Sequence, residues 1–202
     1  MKKVIAIVIL VAVGIALLTA CGPSKEVTRI DSKEIVDLSG KWNDTDSRFV
    51  AEYMVEDVLK RPWLTDFMVA KSKKPVVIVG KIRNKSSEHI PVDIFSKDIE
   101  RELLNSGKVT FVASKEERED IREERKDQKD FSSDVTFKQF FKEIGADFFL
   151  SGVVNSIQDS RSGDKVVLYQ VDLELIDIET NTKVWIGSKE IKKFIGKSEY
   201  KM

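Results

Sequence analysis

One cysteine and one histidine are all that 202 residues supply of two side chains much used in metal sites and nucleophilic catalysis. Cys21 has no second thiol to bridge to, so a disulfide within the chain is excluded. A His-based zinc site or a Ser-His-Asp triad would rest wholly on His89. That residue follows the polar stretch Asn84-Lys-Ser-Ser-Glu88 and reads as a hydrogen-bonded surface group. A surplus of charge is also missing, with 34 Lys+Arg against 34 Asp+Glu. Without Lys2 and Lys3 the balance is 32 against 34, a net of −2. Such a chain has no broad field for nucleic acid or anionic lipid. A Walker loop, a GxGxxG turn after a strand and a GxSxG nucleophile elbow are all absent, as is any internal repeat. No catalytic residue, metal or cofactor is expected.

What is present begins at the N-terminus. Lys2 and Lys3 form a positive start, and Val4 to Leu18 is an apolar run of 15 residues. A permanent transmembrane helix needs about 20. The run closes on Leu18-Thr19-Ala20-Cys21, which resembles the lipobox of bacterial lipoprotein precursors. That resemblance implies cleavage between Ala20 and Cys21, an S-diacylglycerol thioether on Cys21, and N-acylation of the new terminus. Two or three acyl chains, at ~0.8 kcal/mol per buried CH₂, make a stable anchor where one would be marginal. Gly22, not Asp, follows the cysteine. Under the sorting rule of enterobacteria-like cells this implies the outer membrane, on its periplasmic side; the inner membrane is the other destination under different rules.

The chain then divides into a signal peptide over 1–20, a lipidated flexible tether over 21–38 and a globular domain over 39–198. About 160 residues is the size of one domain able to bury a core without staples. The polar stretch 22–38 has no sustained period; its 17 residues reach at most ~60 Å when extended.

In the domain, Asn43-Asp44-Thr45-Asp46-Ser47 is rich in capping types ahead of Phe49, Val50, Tyr53, Met54, Val58 and Leu59, an apolar stripe at helical spacing. Pro62 breaks that helix, and Trp63, Leu64, Phe67 and Met68 suggest a short second one. Val76-Val77-Ile78-Val79-Gly80 reads as a strand buried on both faces. A helix near Pro91 carries Phe95, Ile99 and Leu103 and ends at Gly107, before a strand over 108–113. Ser114-Lys-Glu-Glu117 has capping-box spacing and opens a charged helix over 115–130. A second box, Thr136-Phe-Lys-Gln139, opens a helix with Phe137, Phe140, Phe141 and Ile144, closed by Gly145. Strands over 147–157, 165–178 and 183–195 follow, joined by Ser162-Gly163-Asp164 and Glu179-Thr-Asn-Thr182. Val171, Leu173 and Leu175 share one face of the middle strand, and Gln170, Asp172 and Glu174 the other, which predicts one solvated sheet face. The fold class is α/β, an α+β sandwich: a mixed sheet ending in a three-stranded antiparallel meander, packed against helices.

Two clusters invite a functional reading. Asp44 and Asp46 beside Trp42 are the most enzyme-like acids, since an aromatic next to carboxylates can hold a sugar; helix capping explains them more simply. The helix over 115–130 holds 6 basic and 8 acidic residues. It reads first as a solvated helix held by pairs such as Glu119–Arg122 and Glu123–Lys126, with partner docking as the alternative.

The runs Leu38-Ser-Gly-Lys-Trp-Asn-Asp-Thr-Asp-Ser47, Lys74-Pro-Val-Val-Ile-Val-Gly80, Ile82-Arg-Asn-Lys-Ser-Ser-Glu-His-Ile90, Asn105-Ser-Gly-Lys-Val109, Gly145-Ala-Asp147, Tyr169-Gln-Val-Asp-Leu-Glu-Leu175 and Lys183-Val-Trp-Ile-Gly187 resemble the LpoB family of penicillin-binding-protein activators, in order across 38–195. The resemblance implies a non-enzymatic envelope lipoprotein that binds a class A penicillin-binding protein and stimulates its peptidoglycan synthesis. It implies a domain similar to the TolB N-terminal domain and the CsgG core. A CsgG-like component of a secretion or envelope assembly system is the alternative. Such a pore needs membrane-spanning hairpins, whereas the two faces of the strand over 165–178 suit a soluble sheet.

Overall fold

Asn43 opens the first helix, α1 (Asp44–Leu59), with a reciprocal capping box. Its side-chain oxygen accepts from Asp46 N–H at 3.0 Å, and the Asp46 carboxylate accepts from Asn43 N–H at 3.0 Å. In this computed structural model the described residues are 26–113, 115–129 and 145–196. Residues 26–34 belong to a unit of their own, which shows a turn closed by Glu34 N–H to Asp31 O at 3.0 Å. The remaining elements follow in the second unit. They are α2 (Pro62–Lys71), β1 (Val76–Asn84), α3 (Val92–Asn105), β2 (Thr110–Phe111), α4 (Lys115–Lys129), β3 (Phe148–Arg161), β4 (Asp164–Asp177) and β5 (Lys183–Ile195).

The strands form one open sheet in the order β2-β1-β3-β4-β5. β1 runs parallel to β2 and β3, while β3, β4 and β5 form the antiparallel meander. The β3–β4 hairpin turns on Ser162 and Gly163, both at positive φ (54° and 95°), as a two-residue loop matched to strand twist requires. Helices α1 and α3 bury one side of the sheet. Val50, Met54 and Val58 from α1 join Phe95, Ile99 and Leu103 from α3 over Val167, Tyr169, Val171, Leu173 and Leu175 of β4. The alternation read from β4 is therefore the real one, and the fold is the expected α+β sandwich with its meander.

Three expectations change in detail. Phe49 and Tyr53 are not core residues; they are 51% and 42% exposed. The buried stripe instead runs through Val50, Ala51, Met54, Val55 and Val58, leaving the two rings on its flank. There the Lys189 ammonium of β5 lies 4.9 Å from the Phe49 centroid and 4.1 Å from that of Tyr53. The strand expected over 108–113 shrinks to β2, which pairs only Val76 with Thr110 and Val77 with Phe111, plus a bond from Val112 N–H to Val77 O at 3.4 Å. Ile78 and Val79 are only half-buried, so β1 is less enclosed than its unbroken apolar run suggests. The helix carrying Phe137, Phe140, Phe141 and Ile144 lies outside the described residues.

Candidate functional site

The segment entering the domain is fastened at the C-terminal end of β5 by one lysine. Lys193 Nζ donates to Asp46 Oδ2 at 2.6 Å, to Asp37 Oδ1 at 2.7 Å and to the Lys41 carbonyl at 3.0 Å. Its side chain is 9% exposed and that of Asp46 7%. Asn43 Nδ2 adds bonds to Asp37 Oδ1 at 2.9 Å and to Val36 O at 3.3 Å. Burying two charges costs several kcal/mol each unless geometry and extra bonds offset it. Here the cation fills all three donor positions, and Asp46 also caps α1.

Trp42 completes this clasp. Its indole N–H donates to Ser47 Oγ at 2.8 Å, and its ring meets Tyr169 and Phe95 edge-on at 5.5 and 6.2 Å. The Trp42 backbone N–H and the Tyr169 hydroxyl converge on Glu88 Oε2, at 3.4 and 2.8 Å. Burial, aided by the Glu88 carboxylate, pushes the Tyr169 hydroxyl well above its ordinary 10.0. Burial pulls the Lys193 ammonium down, but its bonds to Asp37 and Asp46 outweigh that and hold it above 10.5.

Both groups are raised relative to the unfolded chain. Their stabilisation is complete below about pH 10 and is lost as pH rises through the folded-state values. The thermal midpoint is thus expected to fall on alkaline titration from about pH 10. Tyr169→Phe should make that fall shallower by removing one of the two titrating groups. An equally steep alkaline limb in Tyr169→Phe would rule out a contribution from this hydroxyl.

The enzyme-like candidates separate. Asp46 is committed to the cap and to Lys193, whereas Asp44 is exposed in the first turn of α1. His89 is exposed in the loop after β1. Among the described residues no three His, Cys, Asp or Glu side chains gather as a metal ion would require. Ala20 and Cys21 lie outside the described residues. In α4 the side chains of 119–124 are exposed, and Glu119, Arg122 and Glu124 each have a partner. The clasp can hold and orient a chain entry; it contains no activated nucleophile.

Sequence reading missed Lys193. The signal was available in the period of 2: Trp185, Gly187, Lys189, Ile191 and Lys193 share a strand face, and Trp185 marks it as the covered one. A lysine at inward parity demands a buried partner. Glu88 had no such signal, because its role depends on a loop that meets Trp42 only through the fold.

The family model described as peptidoglycan-synthase activator LpoB matches residues 46–191. No curated protein matches the chain by sequence. Among solved structures, the LpoB C-terminal domain from Salmonella enterica is similar at 14% identity and TM-score 0.36, covering 64% of this chain and 93% of that one. Lipoprotein GNA1162 from Neisseria meningitidis stands at 15% and 0.38, covering 62% and 88%. The E. coli LpoB structure stands at 11% and 0.36, covering 85% and 83%. The family match runs from the first turn of α1, through every strand, into β5, and on that match the chain belongs to the LpoB family of peptidoglycan-synthase activators.

Proposed function

We propose that this chain is a lipid-anchored periplasmic protein that binds a class A penicillin-binding protein and raises its peptidoglycan-synthesis rate. The observation that carries the reading is the family match over 46–191, since LpoB proteins are activators and not themselves enzymes. In this reading residues 1–20 are removed, Cys21 holds the protein to the outer membrane, 21–38 is the tether, and 39–198 is the activating domain. Among the described residues no helix is long and apolar enough to cross a membrane.

An activator of this kind works through a binding difference. It must hold the synthase's active conformation more tightly than the resting one, and ~1–3 kcal/mol of such coupling shifts the population ~5–150-fold. The clasp supports that role by fixing the tether's exit on the domain. The tether's ~60 Å limit then confines the docking surface to a shell near the anchoring membrane.

The test is capture from solubilised envelopes. The full-length protein, tagged at its C-terminus, is expected to retain a class A penicillin-binding protein from its own cells, identified by mass spectrometry. Recovery of the folded protein with no synthase above an untagged control would overturn the reading.

A further inference from the structure

Among the described residues, the short β2 leaves part of one sheet edge without a neighbour. Among the described residues, β1 has no strand neighbour on that side beyond Val77. The Val77 carbonyl accepts from Val112 N–H there. In an extended strand the residue two along presents its amide and carbonyl to the same side, so Val79 points its pair at the open edge. The register with β3 shifts between Val79 and Ile82, as at a β-bulge. A groove of about 550 Å³ follows the edge, floored by Ile78, Gly80 and Phe149 and walled by Ser96, Lys97 and Glu100 of α3. Gly80 admits the Phe149 ring directly against its backbone, where any side chain would collide. An unpaired edge strand beside a helix, with a groove between them, is the geometry in which an extended peptide adds as one more strand.

Charge defines the peptide. Lys81 and Arg83 of β1 and Lys85 just after it alternate with Ile82 and Asn84, and all three are exposed. Among the described residues none of them makes an ion pair or side-chain hydrogen bond. Arg83 stands beside Val153 of β3, on the sheet face away from α1 and α3. Side chains of an added strand would sit about 5 Å from these cations on that face. Like charges there repel and opposite charges attract, so the face of an added strand turned away from α3 favours acids at every second position, while the face turned to the groove meets Lys97 together with Asp93 and Glu100.

We propose that the open edge of β1 docks an extended, acidic segment of the synthase by strand addition, with acidic side chains opposite Lys81, Arg83 and Lys85. This rests on the reading of the chain as a synthase activator. Backbone bonds at Val79 supply a sequence-independent contribution, and the three cations supply direction and selectivity.

The experiment measures binding of the purified full-length lipoprotein in detergent to a purified class A penicillin-binding protein from the same cells. Hydrogen exchange of the 78–85 segment is followed in parallel. The wild type is expected to bind, with slowed exchange in 78–85. Lys81→Glu/Arg83→Glu/Lys85→Glu should bind at least ~10-fold more weakly, as loss of complementary charge predicts. Reversing Arg161, Lys165 and Lys192 to Glu, at the far end of the meander, should change binding less than ~3-fold. Matching melting curves would establish that each variant folds. Unchanged affinity in the β1 triple variant would overturn the docking site while leaving the activator reading standing. Slow exchange of the Val79 amide in the free protein would also overturn it, because this amide faces away from β3 and the edge would already be filled by the chain itself or a second copy. No binding by the wild type would overturn both.

Discussion

Lys193→Ala is expected to lower stability by about 3–5 kcal/mol, because it strands the Asp46 carboxylate in a site built for an ion pair. The two side chains are 9% and 7% exposed, so water cannot replace the ammonium without opening the clasp. The same change releases Asp37 and the Lys41 carbonyl. At ~2–4 °C per kcal/mol for a domain of this size, the melting midpoint should fall by roughly 6–20 °C. Asp46→Asn combined with Lys193→Met should recover part of the loss, since the buried charge is gone, although the neutral pair cannot restore every bond. The check is chemical denaturation of the wild type and these two variants. A loss below about 1 kcal/mol for Lys193→Ala would mean that the carboxylate stays hydrated and that the clasp does not hold the entry segment.

Cys21→Ser is expected to produce the largest cellular effect. Serine cannot accept the thioether-linked diacylglycerol, and without it the following acylation has no substrate. Each buried CH₂ contributes ~0.8 kcal/mol, so loss of the chains removes essentially all affinity for the bilayer. Cell fractionation should move the protein from envelope to soluble or precursor fractions. Mass spectrometry of the wild-type N-terminus should show lipid on Cys21, with Ala20 and the preceding residues removed. Wild-type envelope retention of Cys21→Ser would contradict the anchor, whatever the domain does.

Periodicity carried most of the architecture. The strict alternation of Val171, Leu173 and Leu175 with polar neighbours fixed both the strand and its covered face, and all three are buried. The spacing of Phe95, Ile99 and Leu103 did the same for α3. The misjudged α1 residues show where the method ends. Phe49 and Tyr53 have helical spacing, but a helix covers only an arc, and the arc's width depends on how α1 sits across β4 and β5. The overextended β2 failed for a related reason. Val109, Phe111 and Val112 satisfy a strand pattern, yet pairing needs a partner edge in register, and only Thr110 and Phe111 meet β1, at Val76 and Val77.

The functional surfaces were less legible. Asp46 was readable as a cap but not as the partner of a lysine 147 residues away. Nothing local to Lys81, Arg83 and Lys85 signals that, among the described residues, the strand edge beside them lacks a neighbour. The lipidation we propose differs because its signal is linear: a processing enzyme would read consecutive residues, and the lipobox-like Leu18-Thr19-Ala20-Cys21 would carry that information without folding.

The most direct measurement is the rate of lipid II polymerisation by the purified class A penicillin-binding protein, with and without this protein at saturating concentration. Activation by differential binding predicts a rate increase of about 5-fold or more that saturates with concentration. It also predicts no polymerisation when the synthase is omitted. An unchanged rate with folded protein bound to the synthase would contradict the account.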